Sequence, residues 1–474
     1  MVKMASRLEK ILANVWKKTT PSEQERKKVL SLATTLVERV KAAAKKAGFE
    51  AHIRVEGSVA KDTWLRGEPD IDIFMQMPTS TPREAFRTVC LNIAKEATKG
   101  SRQVERFAEH PYLEAFVNST RVNIVPCYQA KPGEWISATD RTPYHTDYVK
   151  PKLNDRLKGE IRLLKRFMKG IGVYGAEIKV GGFSGYLSEL LTLHYESFVN
   201  VLKSAANWRQ TWTIDYENYY KGRENEVQKI FAEPLIVVDP VDKGRNVASA
   251  VRKQRLDEFI AASRAFLKQP NLEFFYPKET ETFKKEKLLQ AIRKRGTALI
   301  FIEFGKADAV PDILWGQLYK THRSLRKMLH QNDFSVLRSK VWSNEQDLSV
   351  FLFEVEHRLL PTAKKHLGPP IDKRVESENF LRKHMKSPTT LSGPYLEDRR
   401  WVVEIKRKHT DVVGLFKEKL KRGGRQAGVA ELISKALASS MKIQVNEEIM
   451  PTYLSNNDFA KFLTEYIKGK PKWL

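Results

Sequence analysis

Residues 57–74 read GSVAKDTWLRGEPDIDIF, and this segment carries more chemical information than any other in the chain. A Gly57-Ser58 turn precedes a short helical turn, and a strand begins at Asp70. Because successive side chains of a strand point to opposite faces, Asp70 and Asp72 share one face. Two neighbouring carboxylates without a cation in the strand are typical of a divalent metal site. Mg²⁺ in particular takes hard oxygen ligands from one or two carboxylates and from substrate phosphates.

The alternative for this segment is an exposed strand end with two solvated acids, and Asp-x-Asp alone would favour it. The flanking residues favour the metal site. Ile71, Ile73 and Phe74 predict a buried face for the strand. The Gly-Ser turn offers backbone N–H groups to a phosphate at a helix start, and Lys61 lies where it can reach the same phosphate. The segment therefore predicts a metal-and-triphosphate site, which suits nucleotidyl or phosphoryl transfer.

The composition of the chain restricts its partners. It has 474 residues, enough for about three domains, and a formal net charge of +26 with a pI near 9.7. Such an excess of positive charge indicates a polyanionic partner, either nucleic acid or an acidic membrane. No apolar run is long enough to span a bilayer, so nucleic acid is preferred. The two cysteines do not suggest a disulfide scaffold, and we expect a cytoplasmic protein.

The pattern of elements changes along the chain. The first 150 residues predict a mixed α/β unit that contains a hairpin turning at Asn118-Ser119, and residues 151–270 are mostly helical. The remainder is α+β, and its strand–helix–strand–strand order suits a ferredoxin-like unit. The stretch 364–425 is rich in Lys and Arg. For a single lysine, solvated surface is the better interpretation, but as a cluster these residues predict a face that follows a phosphate backbone.

Further motifs follow in order, and they are Ala108-Glu109-His110-Pro111-Tyr112, Val125-Pro126-Cys127-Tyr128, Asp140-Arg141-Thr142-Pro143, Arg162-Leu163-Leu164-Lys165, Tyr174-Gly175-Ala176-Glu177, Gly182-Phe183-Ser184-Gly185-Tyr186 and Asp239-Pro240-Val241-Asp242 with Arg245-Asn246-Val247. With residues 57–72, this set resembles the archaeal-type (class I) CCA-adding enzymes, which are tRNA nucleotidyltransferases of the polymerase-beta-like superfamily. The resemblance is strong over the first 250 residues, and beyond them it rests on the order of the predicted helices and strands.

The resemblance implies an α+β multidomain protein with four parts. A polymerase-beta-like nucleotidyltransferase head with a mixed sheet would cover residues 1–150, and a helical neck that selects nucleotide and base would cover 151–270. A ferredoxin-like body would follow over 271–385 and an α/β tail over 386–474. Body and tail would hold the acceptor and T arms of tRNA by shape. The resemblance also implies a possible homodimer formed through the tail.

The resemblance implies the activity as well, which is addition of C, C and A to the 3′ end of tRNA. The reaction uses CTP and ATP with Mg²⁺ in a two-metal mechanism and needs no nucleic-acid template. Asp70 and Asp72 would hold metal, and Arg245, together with the tRNA end, would help to select the base. The expected contacts to the nucleoside triphosphate are Ser58, Lys61, His145, Lys165 and Tyr174.

Asn123 departs from the family pattern, which has Asp at this position as the third catalytic and metal-binding carboxylate. An amide oxygen can touch a metal but brings no charge. If the hairpin turns tightly, Glu114 faces Asn123 across it, at a Cβ separation of about 4.5–5.5 Å. One hypothesis is that Glu114 supplies the missing charge. The alternative, an ordinary exposed glutamate, is favoured because a one-residue slip in register reverses the face.

Three explanations of Asn123 are open: a deliberately inactivated protein, a natural enzyme with a weakened or rearranged site, and a natural tRNA-binding relative that has lost its chemistry. A separate alternative concerns the function of the protein: a relative of these enzymes in the form of a nucleotidyltransferase that adds a different 3′ tail, such as adenylates. Two predicted metal ligands and the predicted triphosphate contacts are retained. We therefore expect nucleotide binding to persist even where transfer fails.

Overall fold

The computed structural model describes residues 2–107, 110–209 and 211–474, so Ala108 and Glu109 of the predicted motif lie outside the described residues. The chain forms two compact units. The first comprises Met1–Glu279 with Pro471–Leu474, and the second comprises Thr280–Lys470. No helix in the described part of the chain is both long and apolar enough to cross a membrane.

The first unit contains eleven α-helices and eight strands among its described residues. The helices are α1 Val2–Thr19, α2 Glu23–Lys46, α3 Gly57–Ala60, α4 Arg83–Ala85, α5 Leu91–Ala97, α6 Thr142–Val149, α7 Asp155–Gly170, α8 Gly185–Tyr195, α9 Phe198–Ala205, α10 Glu224–Ile230 and α11 Lys253–Lys268. The strands are β1 His52–Glu56, β2 Asp70–Met77, β3 Arg102–Phe107, β4 Pro111–Val117, β5 Thr120–Tyr128, β6 Trp212–Ile214, β7 Leu235–Asp239 and β8 Asp242–Asn246.

A five-stranded mixed sheet organises the first part of this unit. Its order is β1-β2-β5-β4-β3, and β2 and β5 form its parallel pair. Ile71 and Ile73 of β2 are fully buried in a core that α2 and α5 cover. Because the side chains of a strand alternate, this burial turns Asp70 and Asp72 towards the opposite face. The mixed sheet predicted for the head is confirmed.

The β4–β5 hairpin is also confirmed. Its two turn residues, Asn118 and Ser119, have φ values of +49° and +62°. Positive φ at both positions is the requirement of the two-residue turn that matches the twist of a hairpin. The turn sets the register, in which Glu114 lies opposite Asn123, and Asn123 pairs on its other side with Asp72 of β2.

Helices α1, α6 to α9 and α11 contribute to a second core in the first unit, rich in phenylalanine. Phe167 of α7 makes ring contacts with Phe198, Phe259, Phe266, Phe274 and Phe275. A small sheet of order β6-β7-β8 interrupts the helices. The mostly helical character predicted for residues 151–270 is confirmed.

The second unit is built on a four-stranded antiparallel sheet of order β10-β11-β9-β15. Its strands are β9 Ala298–Phe304, β10 Val336–Ser343, β11 Ser349–Val355 and β15 Lys442–Val445. Its helices are α12 Lys285–Arg295, α13 Pro311–Gln331, α15 Val412–Leu420, α16 Glu431–Ser440, α17 Met450–Ser455 and α18 Asn457–Lys468. Successive residues of β9 enter two different cores, one with α13, α15 and α16 and the other with α12, α17 and α18. Burial on both faces explains why β9 and β11 are almost continuously apolar.

A three-stranded module is inserted between β11 and α15. It consists of β12 Ala363–Pro370, α14 Arg374–His384, β13 Thr390–Glu397 and β14 Arg400–Lys406, with strand order β12-β14-β13. The predicted boundary between body and tail, at residues 385 and 386, falls between α14 and β13 of this module. In addition, β15 of the predicted tail pairs with β9 of the predicted body. The four-part division therefore stays a prediction, and the structure groups these elements differently.

Candidate active site

The acidic strand β2 lies beside β5, with Asp72 paired to Asn123 in parallel register. Burial raises the pKa of Asp72 to about 6, while the hydrogen bond from Asn123 acts in the opposite direction. Burial also raises the pKa of Asp70, and the charge of Arg121 opposes that rise. The two carboxylates predicted to share a face are thus held where their charge is incompletely solvated, which is the electrostatic condition that a bound cation relieves.

Gly57 closes one side of this carboxylate pair. Its φ is +70°, and a Cβ built on it would lie 2.2 Å from Oδ2 of Asp72. Any other residue would be strained in this backbone conformation and would collide with the carboxylate. The Gly57-Ser58 turn and Asp72, quoted together from the sequence, are therefore in direct contact. Ser58 follows within α3, at the start of the helix.

Asn123 contacts Asp72 through its amide group. Its Nδ2 donates a hydrogen bond to Oδ1 of Asp72 at 2.9 Å, whereas its Oδ1 is buried and has no hydrogen-bond partner. Among the described residues there is no group of three or more His, Cys, Asp or Glu side chains that could hold a metal ion. The site thus offers two carboxylates and one unpaired amide oxygen in place of three carboxylates.

Glu114 lies opposite Asn123 as predicted, but its carboxylate already has partners. Oε1 accepts hydrogen bonds from Arg106 at 2.7 and 3.1 Å, and Oε2 accepts one from Arg121 at 2.8 Å. Arg121 also lies 3.7 Å from Asp70. Two guanidinium groups therefore balance the charge of Glu114. Because both oxygens of Glu114 already have partners, the structure does not offer this carboxylate to a metal. Glu114 is also buried, so it is not the exposed glutamate of the alternative.

Two predicted triphosphate ligands, Lys61 and Lys165, form a buried pair on either side of Glu189. Nζ of Lys61 lies 2.6 Å and Nζ of Lys165 lies 3.1 Å from the carboxylate of Glu189, and the Thr63 hydroxyl donates to the same group at 2.6 Å. Burial alone would raise the pKa of Glu189, but Lys165 and Lys61 outweigh it and lower the value to about 2. One carboxylate thus faces two lysines, and burial lowers the pKa of Lys165 although the charge of Glu189 opposes that shift.

Tyr174 lies beside this pair. A Cβ built at Gly185 would lie 3.1 Å from the Tyr174 hydroxyl and 3.7 Å from Nζ of Lys165, so the two side chains converge on the same glycine. Gly185 begins α8, and Ser184 caps that helix by accepting a hydrogen bond from Leu187 N–H. The Gly-rich motif therefore forms a helix entry that leaves space beside Lys165 and Tyr174.

The other two predicted nucleotide contacts, His145 and Arg245, meet at Asp239. Nε2 of His145 lies 2.9 Å from Oδ2 of Asp239, and Nη1 of Arg245 donates to the same oxygen at 2.6 Å. Tyr186 joins this group to the lysine pair. Its ring stacks on His145 at 4.0 Å, and Nζ of Lys61 lies 5.7 Å from the ring centroid. The structure thus brings the predicted nucleotide contacts into two linked clusters.

Sequence reasoning did not assign Glu189, Asp239 or Tyr186 as site residues. A signal was present for the two acids. Glu189 interrupts the apolar helix GYLSELLTLHY, and Asp239 ends the buried strand LIVVD. A charged side chain inside an apolar run is seldom buried unless it is paired, so such a residue marks a specific partner elsewhere in the chain. The sequence does not reveal which residue that partner is.

Comparison with known proteins finds matches to three successive parts of the chain. Three family models match, described as nucleotidyltransferase domain over residues 35–145, tRNA nucleotidyltransferase, second domain, over 159–276, and CCA-adding enzyme, C-terminal domain, over 295–445. Among solved structures, one titled as a cytoplasmic RNA terminal U-transferase is 16% identical, covers 56% of this chain and 95% of its own, and has a TM-score of 0.43.

Relatives named CCA-adding enzyme match over nearly their full lengths. That of Methanosarcina barkeri is 35% identical, covering 96% of this chain and 97% of the relative. That of Methanothermobacter thermautotrophicus is 38% identical, covering 87% and 88%. That of Methanopyrus kandleri is 36% identical, covering 98% of each.

Proposed function

The chain belongs to the family of CCA-adding enzymes, and from that membership we propose that it adds C, C and A to the 3′ end of tRNA. The nucleotidyl groups come from CTP and ATP, and no nucleic-acid template is used. The net charge of +26 suits a tRNA partner. The observation that carries the proposal is the contact of β2 with the Gly57-Ser58 turn, beside two buried lysines.

Enzymes of this family generally use divalent metal ions, and we assign Mg²⁺ to the face that carries Asp70 and Asp72. The donor set fits a hard cation, since two carboxylates and the unpaired Oδ1 of Asn123 are all oxygen ligands. The cation would supply charge neutralisation and alignment of the attacking and leaving oxygens. Asn123 contributes one negative charge fewer than Asp would, so we expect weaker metal binding than a site of three carboxylates gives.

The lysine pair suits the triphosphate. Lys61 and Lys165 carry two charges against the one of Glu189, and the remaining positive charge is buried, where it attracts an anion more strongly than at the surface. Tyr174 and Ser58 complete the phosphate contacts. These residues bind and orient the triphosphate, and holding it in line with the tRNA 3′ hydroxyl is the main contribution that positioning makes to such a transfer.

The remaining parts of the chain would bind tRNA. We assign the head to residues 1–150, the nucleotide-selecting neck to 151–270, and the tRNA-binding ferredoxin-like body and α/β tail to 271–385 and 386–474. The strand–helix–strand–strand order of β9, α13, β10 and β11 supports the body. The basic stretch 364–425 includes the inserted module, and we assign binding of the acceptor and T arms to this stretch. A homodimer through the tail stays a prediction.

One observation favours a second candidate function. Asn123 donates an amide hydrogen bond to Asp72 where the family has a carboxylate, so the two side chains stabilise each other without a metal. A protein of this kind could retain tRNA and nucleotide binding with little or no transfer. The family relationship favours the enzyme, whereas this contact is what a non-catalytic tRNA-binding relative would retain.

Labelled-nucleotide addition separates these functions. The protein and its Asn123→Asp variant are incubated with Mg²⁺, tRNA that ends at the discriminator base, and labelled CTP or ATP. Incorporation of C followed by A supports the proposal. Binding of tRNA without incorporation supports the non-catalytic relative, and incorporation of ATP alone into many RNAs supports a different tail. A gain in the variant of about tenfold or more would show that Asn123 weakens the site.

A further inference from the structure

Each aspartate of the predicted metal face has a partner on the neighbouring strand β5. In the parallel register of β2 and β5, Asp70 lies opposite Arg121 and Asp72 lies opposite Asn123. Nη1 of Arg121 is 3.7 Å from Oδ2 of Asp70. Nδ2 of Asn123 donates a hydrogen bond to Oδ1 of Asp72 at 2.9 Å. One carboxylate thus faces a cation of the protein itself, and the other accepts a hydrogen bond from a neutral amide.

Arg121 is held at this position by Glu114 of β4. Nε of Arg121 donates to Oε2 of Glu114 at 2.8 Å, and the guanidinium of Arg106 on β3 donates to Oε1 at 2.7 and 3.1 Å. The side chain of Glu114 is 4% exposed and that of Arg121 is 44% exposed, so the pair joins a buried carboxylate to a guanidinium that reaches solvent beside Asp70. Positive and negative groups therefore alternate along a row formed by Arg106, Glu114, Arg121 and Asp70.

This row changes the charge that a divalent cation would meet. Its two guanidinium groups balance its two carboxylates, so with Asp72 the group carries one negative charge. A site of three carboxylates would present three. Because the attraction between ions scales with the product of their charges, the face is already largely neutralised without a metal. A cation that approaches Asp70 also meets the guanidinium of Arg121.

The contact between Arg121 and Asp70 matters more for metal binding than for stability. The two side chains are 44% and 49% exposed, and ion pairs between exposed groups contribute little to folding. A divalent cation carries twice the charge of an ammonium group, and its repulsion by a guanidinium a few ångströms away corresponds to about tenfold in affinity even at the dielectric constant of water.

We infer that Arg121 is an internal counter-ion of the metal face, with which a divalent cation must compete for Asp70. The inference rests on the cation that the proposed function assigns to Asp70 and Asp72. Arg121 weakens the binding of that cation to the protein alone. The triphosphate of a nucleotide adds oxygen ligands and negative charge, which outweigh the guanidinium. Arg121 therefore makes the metal enter together with the nucleotide rather than before it.

The test measures the dissociation constant of Mn²⁺, a probe for Mg²⁺, from the nucleotide-free protein by electron paramagnetic resonance in about 0.15 M salt. Arg106→Gln is the matched control, because Arg106 binds the same carboxylate of Glu114 but lies opposite Tyr112 instead of an aspartate. In Arg121→Gln we expect Mn²⁺ to bind at least about fivefold more tightly than in wild type. Arg121→Lys, which keeps the charge, and Arg106→Gln should stay within about twofold of wild type.

Two results would overturn the inference. One is an Mn²⁺ affinity of Arg121→Gln equal to that of wild type, including the case in which neither protein binds the ion. The other is an equal gain in Arg106→Gln, which would show a general effect of net charge. If Arg121→Gln does not fold, the double variant with Glu114→Gln removes both charges of the pair. It must then bind Mn²⁺ more tightly than Glu114→Gln alone.

These measurements need no nucleotide addition, so they separate the inference from the proposed function. A protein that adds no nucleotide but shows the expected order of Mn²⁺ affinities would refute the proposed function and keep the inference. Addition of C and A by a protein whose Mn²⁺ affinity does not respond to Arg121→Gln would refute the inference and keep the proposed function.

Discussion

Replacing Glu189 with Gln removes the charge between Lys61 and Lys165 while keeping the volume of the side chain. Glu189 is 1% exposed, with ammonium nitrogens at 2.6 and 3.1 Å, so the substitution leaves two buried cations next to each other. Removing one partner of a buried ion pair costs about 3–5 kcal/mol. The pKa gives a similar magnitude, because a decrease from 4.5 to about 2 corresponds to about 3 kcal/mol of folding stability.

The sign of the pH dependence follows from the direction of that shift. The pKa of Glu189 is lower in the folded than in the unfolded protein, so its contribution is fully present above pH 4.5 and is lost as the pH falls towards 2. Urea unfolding followed by circular dichroism at pH 7.5 should show Glu189→Gln about 3 kcal/mol less stable than wild type. The difference between the two proteins should shrink as the pH falls below about 4.5.

Glu160→Gln is the matched control for this measurement. Glu160 lies in the same unit, is partly buried and accepts a hydrogen bond from Phe198 N–H at 2.8 Å, a bond that a Gln side chain can keep. We expect a loss of about 1 kcal/mol or less in this variant. The reasoning is refuted if Glu189→Gln is destabilised no more than Glu160→Gln, or if its deficit is constant from pH 7.5 to pH 3.

Three further predictions concern other parts of the chain. Gly57→Ala places a methyl group against Asp72, so nucleotide addition should fall on the order of 10²-fold in the labelled-nucleotide assay, and an activity near wild type would contradict the geometry. Asn123→Asp replaces the amide donor to Asp72 with a second charge, so in EDTA the variant should melt at a lower temperature, with its free energy of unfolding reduced by roughly 2–3 kcal/mol. Mg²⁺ should raise the melting temperature of the variant more than that of wild type. Equal shifts of the two proteins in scanning fluorimetry would count against a metal at this face. Burial, with the charges of Arg326 and Lys340, lowers the pKa of His322 to about 4. The neutral ring is therefore favoured in the folded protein, and about 2–3 kcal/mol of folding stability that is present above pH 6.5 is lost as the pH falls to 4. His322→Gln should remove this loss in urea titrations, and a pH profile of stability identical to that of wild type would exclude the assignment.

The local part of the site could be predicted from sequence because each step depended on neighbouring residues. Alternation along β2 placed Asp70 and Asp72 on one face. The Asn118-Ser119 turn fixed the register that sets Glu114 opposite Asn123. Periodicity and turn chemistry act over a few residues, so a single sequence contains the information needed to infer them.

The partners of the buried charges could not be predicted in the same way. Glu189 meets Lys61 across 128 positions, and Asp239 meets His145 across 94. Such pairings depend on how α7, α8 and β7 pack, which no local pattern encodes. The fate of Glu114 shows the same limit, since the hairpin predicted its position but not the guanidinium groups of Arg106 and Arg121 that bind it.

The position of β15 has a consequence for how the second unit is synthesised. β9 ends at Phe304, yet its neighbour on one side is Lys442–Val445, more than a hundred residues later in the chain. As the polypeptide emerges from the ribosome, one edge of an apolar strand therefore waits unpaired until the inserted module and α16 have been made. Exposed edges of this kind recruit other chains. A ribosome that stalls before residue 442 would release a product prone to aggregation, so β15 protects the sheet of the second unit from association.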